Sequence, residues 1–293
     1  MKKQLASIFF LFLFISGFSL NNNVVANNLI GKSVITESGV KQNTQRYTDT
    51  IFSQVDVTRN IVFGEAINSK GVSEKLLLDV YSPSGDKLKN RPVIMWIHGG
   101  GFRLGNDKSQ SYIVRMASEF AKRGYVCLSI NYRLRNNPKD NPHGTMTDAL
   151  ADAMAALNWL RNNDEKLGID KNKIIIGGGS AGGKLATNLC YKDNSPAEKW
   201  DKSGIVGLVN LWGSPDESWM MSKIDKNDPP TIIVHGTKDE LVPYELTEHL
   251  VKELKTQNVK FELITIEGAE HTPSGHIDEF VPKIAAFLYG LIN

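Results

Sequence analysis

The chain alternates short, dense apolar runs with longer stretches in which apolar residues return every three or four positions. Runs near 61–67, 75–81, 92–98, 125–131, 173–177, 204–211, 229–235 and 259–266 are rich in β-branched residues, which predicts strands. Between them, 111–123 places Ile113, Met116, Ala117, Phe120 and Ala121 at helical spacing and stops at Gly124. Residues 145–162 repeat the pattern with Leu150, Met154, Leu157 and Leu160. A third helix is predicted to open on Pro243, with Leu246, His249, Leu250 and Leu254 on one face, and a last one over about 277–289. Strands such as VIMWI (93–97), III (174–176) and TIIV (231–234) are apolar on both faces. They belong inside a sheet covered by helices on either side, so the fold class is α/β with a mainly parallel central sheet. The pair 61–67 and 75–81, joined by a short Gly-containing link, predicts an antiparallel hairpin at an edge.

The N-terminus follows another pattern. Lys2 and Lys3 precede the apolar block Ile8–Ile15, then a polar stretch ends in Val24, Val25 and Ala26, the layout of a cleaved secretory signal. Leu5 to Leu20 is 16 residues, interrupted by Ser and Gly, against about 20 needed to span a bilayer. The expected organisation is therefore a signal peptide over 1–26, a polar lead-in over 27–58 and one catalytic domain over 59–293. The expected location is periplasmic or extracellular, with no stable membrane anchor once the leader is removed.

Charge sharpens this picture. Lys+Arg number 34 and Asp+Glu 32, and the leader holds Lys2 and Lys3 and no acid, so the remainder balances at 34−2=32 against 32. A neutral chain lacks the basic excess of a nucleic-acid binder. Two cysteines, Cys127 and Cys190, offer no C-x-x-C spacing for zinc or thiol redox chemistry and are expected to be separate buried thiols.

The chemistry gathers at the glycine-rich string 177–183, GGGSAGG, directly after a strand and before a helix through Leu185, Ala186 and Leu189. One reading is a nucleophile elbow, G-x-S-x-G, in which Ser180 sits on a strained turn and its glycine neighbours let strand and helix approach. The rival reading is a phosphate-binding loop, since Gly178 to Lys184 fits G-x-x-x-x-G-K. Position 185 is Leu, where that loop needs Ser or Thr to hold magnesium. The one LLLD run, at 76–79, precedes the loop and supplies no acidic ligand downstream of it. The elbow is the better reading.

His98-Gly99-Gly100-Gly101 closes the strand 92–98, and such a run can aim backbone N–H groups at one point to hold an oxyanion. The expected donors are Gly100, Gly101 and Ala181. A serine hydroxyl needs a base, and the base an orienting acid. Of six histidines, His98 and His235 read as turn supports, His143 as a loop residue and His249 as a helix-face residue. His271 lies in the loop after strand 259–266, at the sheet edge where Ser180 also falls, with His276 as runner-up. Asp239, just past strand 229–235, is the expected acid, ahead of Asp216 and Glu240.

With LLLDVYSP (76–83), HGGGF (98–102), NYRL (131–134), GGGSAGG (177–183), HGTKDELVP (235–243) and GAEH (268–271) in that order, the chain resembles the α/β-hydrolase serine esterases. The resemblance is to the hormone-sensitive-lipase-like, bacterial carboxylesterase and acetylxylan- or feruloyl-esterase-like groups. It implies the α/β-hydrolase fold, with Ser180 as nucleophile, Asp239 as acid, His271 as base and Gly100, Gly101 and Ala181 as the oxyanion hole. It implies no metal or organic cofactor and a small-molecule or carbohydrate ester as substrate. Two departures stand out. Gly179 replaces the acidic residue that many of these esterases carry before the nucleophile. Only 17 residues, 212–228, separate two strands where lipase-like relatives often insert a lid, which predicts a minimal lid, an open site and short acyl groups. Trp212 and Trp219, with Met220, are candidate wall residues there, and core or rim packing explains them equally well. A serine peptidase or amidase, a lipase and a non-catalytic hydrolase-like binding protein are the alternative readings.

Overall fold

A computed structural model describes residues 33–35, 41–43, 45–191, 201–215 and 223–293. The predicted leader and Asp216, Trp219 and Met220 lie outside the described residues. The described residues include ten strands: β1 (Ser33–Ile35), β2 (Lys41–Asn43), β3 (Val55–Ile67), β4 (Ser73–Pro83), β5 (Arg91–Ile97), β6 (Val126–Ile130), β7 (Ile169–Gly179), β8 (Ile205–Leu211), β9 (Thr231–Gly236) and β10 (Phe261–Ile266). The helices are α1 (Ser111–Lys122), α2 (Pro142–Asn162), α3 (Asp164–Leu167), α4 (Ala181–Tyr191), α5 (Tyr244–Thr256) and α6 (Ile277–Ile292).

Strands β3 to β10 form one sheet in the order β10-β9-β8-β7-β5-β6-β4-β3. The pairs from β10 to β6 are parallel, and β4 pairs antiparallel with both β6 and β3. The predicted edge hairpin is thus β3–β4, with β3 outermost. It begins at Val55, inside the segment read from sequence as lead-in, because Val55 to Thr58 pair with Pro83 to Val80. Farther upstream, β1 and β2 form a two-stranded antiparallel pair. The polar residues just before β3 are tied down as well: the Tyr47 N–H donates to Arg123 O at 2.8 Å, and the Arg46 guanidinium bonds the Asp86 carboxylate.

Period-two alternation builds a core on each face. Val93, Met95 and Ile97 of β5, with Ile174 and Ile176 of β7, pack under Leu150, Leu157, Leu185 and Leu250 of α2, α4 and α5. Ile94, Trp96 and Ile175 point the other way, to Ile113, Phe120, Phe280 and Ile284 of α1 and α6. Every residue of β5 is buried, as a strand covered on both sides must be.

Several boundaries move from the expected ones. Pro243 caps α5 with an extended ψ of 136° instead of opening it. Asn141 caps α2 by accepting the Gly144 N–H at 2.9 Å, so His143, expected in a loop, lies in the first helical turn. Asp79 is fully buried against Lys108 at 2.9 Å, which accounts for the LLLD run as a packed ion pair. Cys127 and Cys190 are buried and unpaired. Among the described residues no helix is long and apolar enough to cross a membrane.

Candidate active site

Strand β7 ends at Gly179 and α4 begins at Ala181, so Ser180 alone makes the turn, at a φ of +54°. Such a conformation costs a non-glycine residue roughly 1 kcal/mol or more and persists only where the surroundings hold it. Here the Ser180 N–H donates to Leu211 O and the Lys184 N–H to Ser180 O, both at 2.9 Å. The flanking glycines are needed for contact: a Cβ at Gly178 would lie 2.3 Å from Gly182 O, and one at Gly182 would lie 2.0 Å from Ile97 O. This is elbow geometry, with the hydroxyl half-exposed above the sheet.

The loops after β9 and β10 bring the partners. His271 Nε2 lies 2.9 Å from Ser180 Oγ, and His271 Nδ1 lies 2.7 Å from Asp239 Oδ2. Since the carboxylate can only accept, Nδ1 carries the proton and Nε2 is free to accept from the serine. Asp239 Oδ1 accepts the N–H groups of Leu241 and Val242, each at 2.9 Å. Burial pushes the Asp239 carboxyl up, but the Val242 amide and then His271 outweigh it and hold it below the ordinary carboxylate value. It therefore stays ionised, as an orienting acid must.

His235, read from sequence as a turn support, also reaches this carboxylate. Its Nε2 lies 3.0 Å from Asp239 Oδ2 and 2.9 Å from Val242 O, both acceptors, so Nε2 carries a proton; Nδ1 then accepts from Thr247 Oγ1 at 2.7 Å. Burial depresses its basicity, which keeps the ring neutral. The other candidates lie elsewhere. His276 pairs with Glu279 at the start of α6, His249 and Glu240 face solvent, and His98 is buried under the glycine loop.

That loop bends through three consecutive left-handed residues, Gly100 at φ +97°, Gly101 at +60° and Phe102 at +61°. A Cβ at Gly100 would lie 2.1 Å from Asn106 Cγ, so only glycine fits. Gly100, Gly101 and Ala181 line the same cleft as Ser180 and His271. Among the described residues none of their three N–H groups is taken by a protein acceptor; for Ala181 this follows from its place in the first helical turn. Around them the loop is braced. The Gly99 N–H donates to Tyr112 Oη at 2.9 Å, and Tyr132 Oη donates to His98 O at 3.0 Å. Tyr112 also explains Gly179, because a Cβ there would lie 2.7 Å from its ring and hydroxyl. No local pattern in the sequence marks Tyr112, whose partners are 13 and 67 residues away.

The cleft has a volume of about 870 Å³. Trp212 does not line it: its side chain is fully buried between Tyr112 and Phe280, with ring centroids 5.4 and 6.4 Å away. The expected wall residue is a core residue: the chain turns at Trp212 with φ +41°, and the indole packs in the core cluster that α1 and α6 cover. Among the described residues no cluster of three His, Cys, Asp or Glu is placed to hold a metal ion.

Two family models match the chain, BD-FAE over residues 78–205 and the Prolyl oligopeptidase family over residues 199–293. Esterase LipC of Mycobacterium tuberculosis is 27% identical over 67% of this chain and 56% of its own length. The arylesterase of Saccharolobus solfataricus is 31% identical over 53% of this chain and 51% of its own. The chain thus spans about half the length of the curated relatives it matches. Among solved structures, a propionate-bound esterase of Thermogutta terrifontis superposes with a TM-score of 0.66 at 25% identity, covering 84% of this chain and 97% of that one. A truncated carbohydrate esterase from gut microbiota has the same TM-score at 18% identity, covering 84% and 99%, a likeness of fold. With a fold shared over more than four-fifths of its length, and family models that together run from residue 78 to 293, the chain belongs to the α/β-hydrolase superfamily, where its named relatives are esterases.

Proposed function

We propose that the protein is an exported serine carboxylesterase that hydrolyses short acyl esters, of acetyl type, including esters on carbohydrate. The observation that carries this reading is the relay Ser180–His271–Asp239, with spacings of 2.9 and 2.7 Å beside a glycine loop whose amides are open to the cleft. Ser180 Oγ attacks the ester carbonyl while His271 Nε2 takes its proton. The oxyanion of the tetrahedral intermediate is held by the amides of Gly100, Gly101 and Ala181, each good donor contributing about a hundredfold to a thousandfold in turnover. The imidazolium, steadied by Asp239, returns the proton to the departing alcohol and leaves an acyl-serine. His271 then activates a water that releases the acid.

Short acyl preference is supported by the brief interval between β8 and β9 and by the propionate-bound relative; carbohydrate as the alcohol is supported by the likeness to a carbohydrate esterase. Export rests on the leader pattern at residues 1–26. A panel of 4-nitrophenyl esters and acetylated xylo-oligosaccharides tests the specificity. Acetate should be cleaved fastest and the sugar acetates should be substrates; faster cleavage of palmitate would overturn the short-acyl reading.

The match of residues 199–293 to the Prolyl oligopeptidase family favours one second reading, amide hydrolysis by the same relay. Turnover of 4-nitroacetanilide at a rate comparable with 4-nitrophenyl acetate would select it.

A further inference from the structure

The charges around Ser180 point to a substrate class. Every ionisable side chain lining the cleft besides His271 and the buried Tyr112 is a cation: Arg103, Lys139 and Lys184, with no Asp or Glu among the lining residues described. In a chain whose acids and bases balance outside the leader, this is a local separation of charge. Lys184 already has an interaction of its own. Arg103 and Lys139 are exposed to the cleft, and among the described residues neither has an ion-pair partner.

Both cations are carried on fixed backbone. The Arg103 N–H closes a turn onto Gly100 O at 3.1 Å, and the flanking residues pair with Arg135 through Leu104 N–H to Arg135 O at 3.1 Å and Arg135 N–H to Phe102 O at 2.9 Å. Lys139 sits in the short 3-10 turn Pro138–Asp140, whose Pro138 carbonyl accepts Thr145 Oγ1 at 3.2 Å. The neighbouring Asp140 carboxylate is turned to the Asn137 amide. Phe102, Pro138, Pro142 and Met146 supply apolar walls beside the two charges. Low-dielectric walls focus the field of like charges and raise the local concentration of an oppositely charged ligand.

We infer that the preferred ester carries a carboxylate, in its alcohol or its acyl portion, that is drawn into the cleft by Arg103 and Lys139. The inference rests on the esterase reading above and narrows its substrate.

The test compares kcat/KM for isosteric pairs differing only in that charge. For the alcohol side the pair is 4-acetoxybenzoate and 4-acetoxybenzamide; for the acyl side it is 4-nitrophenyl hydrogen adipate and its terminal amide. In one pair or the other the carboxylate should be favoured by about tenfold at low ionic strength. That ratio should shrink towards one in about 0.5 M salt, where screening acts over a few ångströms. It should also fall to about one in the double variant Arg103→Gln/Lys139→Gln. Because a ratio is read, a general loss of folded protein cancels. Ratios near or below one in both pairs for the wild type overturn the inference, as does a preference that survives the double variant. If no member of either pair is hydrolysed, the esterase reading itself fails.

Discussion

His235 Nε2 and His271 Nδ1 converge on a single atom, Asp239 Oδ2, at 3.0 and 2.7 Å. The acid of the relay is therefore held by a second imidazole, neutral and buried, itself fixed by Thr247. Replacing His235 by Phe removes a donor to a charged acceptor, an interaction worth about 1.5 to 3 kcal/mol, and should lower kcat by about tenfold to a hundredfold with a smaller change in KM. His235→Gln, which can still present an N–H, should recover part of the loss. Steady-state kinetics of the three proteins check this; a kcat unchanged in His235→Phe, or no recovery in His235→Gln, would reduce His235 to a packing residue.

The glycine loop gives a second expectation. Gly100→Ala places a methyl 2.1 Å from Asn106 Cγ at a φ of +97°, so the loop must shift and carry its amide with it. Turnover should fall by about a hundredfold to a thousandfold. Reaction with a small serine-directed sulfonyl fluoride, followed by mass spectrometry, should still label the protein if the relay is intact.

Much of this was legible in the chain, and the reasons are local. Strands β5 and β9 and the Ile174–Ile176 segment of β7 are apolar on both faces, and that can be read without knowing their neighbours. The elbow was legible because Gly178 and Gly182 are required by backbone contacts within a few residues of Ser180 or with the adjacent strand. What sequence did not disclose depends on distant packing. An aromatic at the end of a strand can face a cleft or a core, and Trp212 faces the core because Tyr112 and Phe280 meet it there. The contact of His235 with Asp239 needs a turn whose direction no residue pattern announces. The start of β3 at Val55 is set by pairing with β4, not by the polar composition of the lead-in.

Gly179 gives a stability prediction. Its missing side chain makes room for Tyr112, whose hydroxyl accepts the Gly99 N–H at 2.9 Å. Gly179→Ala should destabilise by about 1 to 3 kcal/mol through overpacking, a fall of several degrees in Tm, and should lower turnover by moving the loop. Calorimetry of Gly179→Ala and of Gly179→Ala/Tyr112→Ala separates the causes: the double change should cost less than the sum of the two single ones.

Acid sensitivity follows from His98. Burial lowers its value from 6.5 to about 4, and its ring stacks on Tyr132 with centroids 4.4 Å apart. The unfolded chain takes up this proton below about pH 6.5 while the folded one does not, so stability rises with pH across the interval between the two values. Between pH 6.5 and 4.5 the group should cost the fold about 2 to 3 kcal/mol. Urea unfolding at the two pH values should show a smaller acid loss in His98→Asn than in wild type; equal losses would locate the sensitivity elsewhere.

The central claim is that Ser180 carries the acyl group. It is tested most directly by acid-quenching the enzyme during turnover of 4-nitrophenyl acetate and mapping the adduct by peptide mass spectrometry. One acetyl group should appear on Ser180 and none in Ser180→Ala, with loss of turnover in that variant. Acetylation at another residue, or a Ser180→Ala protein that keeps wild-type turnover, would contradict the account.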